Sequence, residues 1–172
     1  MMMHRHLWKN LPSTKDWAES QWSQIRTIQD KWSEKGRLSY RKVVNSAIGL
    51  IVADVQSSAA GNLQAHFAPL LAETGDTQAT NIAKLSDNLT DFFSFNTGGT
   101  NAVNTYSGLS MVAAHDPATN ARMGTKSSNA DYTKFEGYVG AAANANGVAS
   151  NTELYTDIVA VLESLRTPIV QK

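Results

Sequence analysis

The stretch LSYRKVVNSAIGLIVADV, residues 38–55, most constrains how this chain can fold. Within it Val43, Val44, Ala47, Ile48, Leu50, Ile51, Val52 and Val55 cover most of a helix circumference. A surface helix keeps one face polar, whereas apolar residues on nearly every side require neighbours on at least two. An all-α core built around this segment is therefore expected. Two more stripes point the same way. Ile82, Leu85, Leu89, Phe92, Phe93 and Phe95 recur at spacings of three and four and predict a helix over 81–96 with a broad aromatic face. Leu154, Ile158, Val161, Leu162 and Leu165 predict a last helix. No segment alternates as a strand does, and no internal repeat is visible.

Punctuation fixes the expected boundaries. Ser13 or Thr14 can cap a helix from Asp16, with Asp16 and Glu19 in its first turn, that stops at Gly36. Its stripe is Ala18, Trp22, Ile25, Ile28 and Trp32, with Trp17 at the edge. Such a face either packs on the chain's own core or docks on a protein partner or second copy through Trp17, Trp22 and Trp32. QSSAAGN (56–62) reads as a loop, NLQAHFAPLLAE (62–73) as a short helix broken at Pro69, and TGDTQAT (74–80) as a linker. A short helix is expected around 109–115, followed by a polar surface loop, DPATNARMGTKSSNAD (116–131). Asn129 or Asp131 can start the next helix, which carries Tyr132, Phe135 and Val139 and then the small-residue run GAAANANG. Ser150 with Glu153 forms a capping box for the last helix, which Pro168 should end. At 172 residues the chain suits one domain over 37–172 with an extension and amphipathic helix over 1–36.

Composition removes several function classes. Fifteen basic and fifteen acidic residues cancel, which argues against a nucleic-acid partner. The absence of cysteine excludes disulfides, iron–sulfur clusters and a thiolate nucleophile, so any metal must rest on histidine, carboxylate or oxygen donors. No apolar run reaches the roughly 18 residues that span a bilayer. Residues 1–15 carry Arg5, Lys9 and Lys15 and no acid, a pattern shared by mitochondrial targeting segments and by retained basic tails. The carboxylates are scattered, and no nucleophile spacing, P-loop or dinucleotide motif is present, so acid–base catalysis is not expected.

The chemistry concentrates in YSGLSMVAAH (106–115), which follows TGG at 97–99. His115 lies four residues after Met111, so both share a helix face, and the thioether can pad a slot beside the imidazole. An apolar slot, one neutral imidazole and some basic groups at the mouth are what a porphyrin needs. Lys84, Arg122 and Lys126 are candidate partners for its carboxylates, or else solvated charges. His66 reads as a surface histidine at a helix end or as a sixth iron ligand.

These residues resemble the group 1 truncated haemoglobins. KLSDNLTDFFSFNTGG (84–99), then Tyr106, Gly108, Met111 and His115, looks like the family's distal helix, glycine corner and proximal segment, and 43–54 looks like its second helix. The resemblance covers roughly 38–170. It implies a globin-like two-over-two helical sandwich around haem b, with His115 as proximal iron ligand. Ile48, Phe67, Leu85, Leu89, Phe92, Tyr106, Met111 and Phe135 would surround the cofactor. The departures are as informative. Where the family places phenylalanine and a hydrogen-bonding tyrosine in the second helix stand Ala47 and Ile48, and the distal polar positions fall on Leu85 and Leu89. GRLS (36–39) replaces the family's glycine pair, two insertions flank His66–Phe67, and three extra residues separate Gly99 from Tyr106.

Two functions follow as expectations. One is a haem protein that binds a diatomic gas (O2, NO or CO) in an apolar distal pocket, with at most weak NO dioxygenase or peroxidase activity. The other is a globin-fold structural subunit of a larger assembly, with haem reduced in role or absent.

Overall fold

In the computed structural model the described residues are 34–96 and 108–172, with backbone alone for 34–39 and 95–96. The tryptophan-bearing segment expected to be a helix from Asp16 lies outside that description up to residue 33, as do the glycine pair Gly98–Gly99, Tyr106 and the side chain of Phe95. The described residues form six helices and no strand: α1 (Glu34–Val55), α2 (Ala68–Leu71), α3 (Gly75–Asn96), α4 (Met111–Ala114), α5 (Asn129–Ala145) and α6 (Glu153–Ile169). The fold is therefore mostly helical, as expected. None of these helices is long and apolar enough to cross a membrane.

The central role expected of residues 38–55 is met by α1, which packs on both α3 and α5, while α5 packs on α6 and α4 on α6. Tyr40, Val44, Ala47, Ile48, Ile51 and Val55 are buried along it. Leu50 and Val52 are exposed, so the apolar circumference is not wholly covered. The seam between α1 and α3 is not the aromatic face that periodicity suggests. It is a row of hydroxyls, Ser86, Thr90 and Ser94, all buried, whose small volume lets the two backbones approach. Ser86 donates to Asn45 Oδ1 at 2.6 Å and Thr90 to the Ser86 carbonyl at 2.7 Å, so burial leaves these hydroxyls satisfied. Phe93 alone of the described aromatics on α3 joins the core, stacked 6.5 Å from Tyr40. On α5, Gly140, Ala142 and Ala143 are buried, so the small-residue run is a packing surface for its neighbours.

Several boundaries differ from expectation for identifiable reasons. Gly36 stands inside α1, because a glycine stops a helix only when it leaves helical backbone. Pro69 occupies the first turn of α2, where no backbone donor is needed, so it opens that helix and does not break it. The expected linker 74–80 is helical from Gly75, whose φ of +59° turns the chain into α3. Ser150 does not cap α6, since its hydroxyl donates to Asn144 Oδ1 at 3.0 Å and Thr152 accepts from the Tyr155 N–H instead. Pro168 falls within the last turn of α6, which continues to Ile169. The start of α5 is as expected: Ser128 and Asp131 form a reciprocal capping box.

Asp54, near the end of α1, ties three parts together. Its carboxylate accepts from the Leu63 N–H at 2.7 Å, from Tyr138 Oη at 2.7 Å and from Lys134 Nζ at 3.2 Å. Burial alone would raise its pKa, but these three donors outweigh it and hold the carboxyl below its ordinary value. The bond to Leu63 folds segment 62–67 inward and sets where His66 and Phe67 sit.

Candidate functional site

A cavity of about 570 Å³ opens between α3, α4, α5 and α6. Seven of the nine expected cofactor and iron contacts line it: Phe67 from the segment after α1, Leu85, Leu89 and Phe92 from α3, Met111 and His115 from α4 and its C-terminus, and Phe135 from α5. Ile48 does not. It is buried in the hydrophobic core with Val44, Ala47 and Phe93, the cluster against which Leu85, Leu89 and Phe135 pack, and is not part of the cavity lining. Tyr106 lies outside the described residues. The volume falls within the range of small-molecule and cofactor sites.

His115 caps the C-terminal end of α4, and Ser110 caps its start by accepting the Ala113 N–H at 3.2 Å. Its Nδ1 lies 2.8 Å from the Met111 carbonyl. A carbonyl only accepts, so Nδ1 carries the proton and the lone pair of the neutral ring is on Nε2. Burial holds the pKa of this imidazole below its ordinary value, with the nearby His66 acting in the same sense and the Met111 bond opposing it. Burial and His66 both favour a neutral ring, with Nδ1 committed to Met111 and the lone pair on Nε2. This is the arrangement by which proteins present imidazole to a metal.

His66 is corrected by the structure. It is 6% exposed, not a surface residue, and its Nε2 donates to Asp131 Oδ2 at 3.1 Å. Its carbonyl accepts the Gly124 N–H at 2.9 Å. It does not line the cavity, so the sixth-ligand role has no geometric basis among the described residues. The approach of loop 116–128 to this segment demands glycine: a Cβ at Gly124 would lie 1.9 Å from the Ala65 carbonyl oxygen.

Of the basic candidates, Lys84 and Arg122 line the cavity and Lys126 does not. Arg122 is already paired through both terminal nitrogens with Glu73, which also accepts from Asn81 Nδ2 at 2.9 Å. Among the described residues no carboxylate pairs with Lys84. Asn81, Lys84 and Asn88 recur at three and four along one edge of α3, giving the apolar wall a polar border. The sequence reading missed these asparagines, together with Met123, Tyr132 and the α6 residues Leu162, Leu165 and Ile169. The α6 set carries a visible signal, helical spacing, but spacing says only that a face is buried, not what it faces. No group of three or more histidine, carboxylate or cysteine side chains that could hold a metal ion converges among the described residues.

Comparison with protein-family models, with curated proteins and with solved structures found no match to the chain.

Proposed function

We propose that this chain is a haem-binding protein of truncated-haemoglobin type whose single protein ligand to iron is His115. The observation that carries the reading is the imidazole itself: neutral, fixed at Nδ1 by Met111, and on the wall of an apolar cavity large enough for a cofactor. The pairing of α1 with α3 and of α5 with α6, joined through α1 and α5, supports a two-over-two sandwich. Haem b in this cavity would supply an iron with one position open to a diatomic ligand.

The remaining work falls to the chain. Phe67, Leu85, Leu89, Phe92, Met111 and Phe135 exclude water from the porphyrin faces. Among the described residues, Lys84 at the polar border has no carboxylate partner and would meet a propionate, because Arg122 is held by Glu73. With Ala47 and Ile48 buried in the core and Leu85 and Leu89 on the wall, neither helix presents a hydroxyl or amide at the positions where the family places its donors. A donor of that kind stabilises bound O2 by about 1–3 kcal/mol. O2 should therefore leave about tenfold faster for each ~1.4 kcal/mol forgone, while CO and NO are affected little. NO dioxygenation and peroxidation should be weak.

A second reading, a globin-fold subunit of a larger assembly, draws support from Leu50 and Val52, which α1 leaves exposed side by side with Gly49 and Ala53. Size-exclusion of a Trp17, Trp22 and Trp32 triple alanine variant tests it, with loss of an oligomer as the supporting result. The haem reading is tested by titrating purified protein with haemin: a Soret band saturating at one haemin per chain, abolished in His115→Ala, is expected. Failure of the unmodified protein to develop that band would overturn it.

A further inference from the structure

The helix that bears the candidate ligand has little to hold it by burial. It is four residues long, too short to be stable alone, and Val112 on it is 54% exposed. Its setting must come from polar contacts to its carbonyls, which a single turn leaves without helical partners. Each carbonyl has one. Met111 is taken by His115 Nδ1, Ala113 by the Asp116 N–H at 3.5 Å, and Ala114 by Asn120 Nδ2 at 2.7 Å. Val112 accepts from the His115 N–H at 3.3 Å and from Gln171 Nε2 at 2.9 Å, the latter from 59 residues away.

Of these donors, Gln171 alone comes from outside segment 111–120, and it is itself well anchored. Its side chain also donates to the Pro168 carbonyl at 3.3 Å, and its N–H donates to the Ser127 carbonyl at 2.9 Å beside the Ser127–Val170 bridge. It thus joins the end of α6, whose Leu162, Leu165 and Ile169 line the cavity, to the turn that carries His115. Local bonds within 111–120 hold that turn's shape. Together with the packing of α4 on α6, the bond from Gln171 fixes how the turn is rotated against the cavity.

We propose that Gln171 is a positioning residue for His115: by holding the Val112 carbonyl, its amide sets the rotation of α4 and so the direction of the imidazole Nε2 into the cavity. The role of that nitrogen toward iron rests on the haem reading above; the positioning does not. Gln171→Glu keeps the shape and removes the donor, whereas Gln171→Lys restores a donor of similar reach. In the full chain without haemin, the pattern of NOEs from the His115 ring to the cavity-wall methyls should be alike in the native protein and Gln171→Lys. Gln171→Glu should weaken that pattern, with the Nδ1-protonated tautomer kept by the local Met111 bond and the thermal melt close to native. After loading, haemin transfer to a scavenger should be about 3- to 10-fold faster from Gln171→Glu, the effect of one lost hydrogen bond, and native in Gln171→Lys. Unchanged ring contacts in Gln171→Glu, or equal disturbance in both variants, overturns the proposal. If the native protein takes up no haemin, the haem reading fails and the ring-contact measurement alone decides the positioning role.

Discussion

The helical frame and the segment carrying His115 are held together by different forces. In the frame, side chains vanish from solvent: Ala142 and Ala143 are wholly buried, and Leu154 and Leu162 are 1% and 2% exposed. Between 108 and 126 no residue is buried to that degree, and the chain is fixed by individual hydrogen bonds from Ser110, His115, Asn120 and Gln171. Burial stabilises in proportion to area and is indifferent to direction, whereas a hydrogen bond contributes about 1 kcal/mol but fixes an angle. The frame supplies stability and the segment supplies geometry.

Mutations should separate the two. Leu154→Ala in the frame should cost about 2–5 kcal/mol in urea unfolding, the range for cavity-creating changes. Asn120→Ala should cost only about 1 kcal/mol while loosening the turn before the loop. Equal losses would remove the distinction. Gly124→Ala is the expected exception within the segment. Its Cβ cannot coexist with the Ala65 carbonyl, so a loss of about 1–3 kcal/mol should accompany a shift of segment 62–67, read as changed amide shifts at His66 and Phe67.

Acid sharpens the contrast further. Asp54 has its folded pKa lowered, so its contribution is complete above its unfolded value near 3.8 and is lost as pH falls through the lower folded value. Asp54→Asn should flatten that acid limb of stability, measured by denaturant midpoint against pH. His115 has a lowered folded pKa and is a base, so the unfolded chain takes the proton first. Stability should decline as pH falls from its ordinary 6.5 toward the folded value, a slope that His115→Gln removes. This is the smallest of these effects, and haemin uptake should weaken over the same interval because only neutral imidazole ligates.

Legibility divides along the same line. The helices α1, α3, α5 and α6 were expected because apolar spacing records burial, and Phe67, Leu85, Leu89, Phe92, Met111, Phe135 and His115 were drawn toward one cavity by pattern and resemblance. The hydroxyl seam of Ser86, Thr90 and Ser94 was invisible, since hydroxyls read as polar until a partner helix shows them satisfied. Ile48 was placed on the cavity because apolar residues look alike whether they face a core or a slot. His66 was read as exposed because nothing local reveals a bond to Asp131, 65 positions on. Gln171 could not be found at all, since its partner Val112 is reached only through the folded path of α6.

The central claim is that His115, the one histidine among the described residues lining the cavity, is the proposed ligand to iron. Replacing His115 with glycine removes that donor while leaving the cavity walls in place, so haemin alone should give only a broad, weak Soret absorption. Adding free imidazole at millimolar concentration should restore the sharp band of the native complex. A His115→Gly variant that binds haemin as the native protein does without added imidazole would contradict the account.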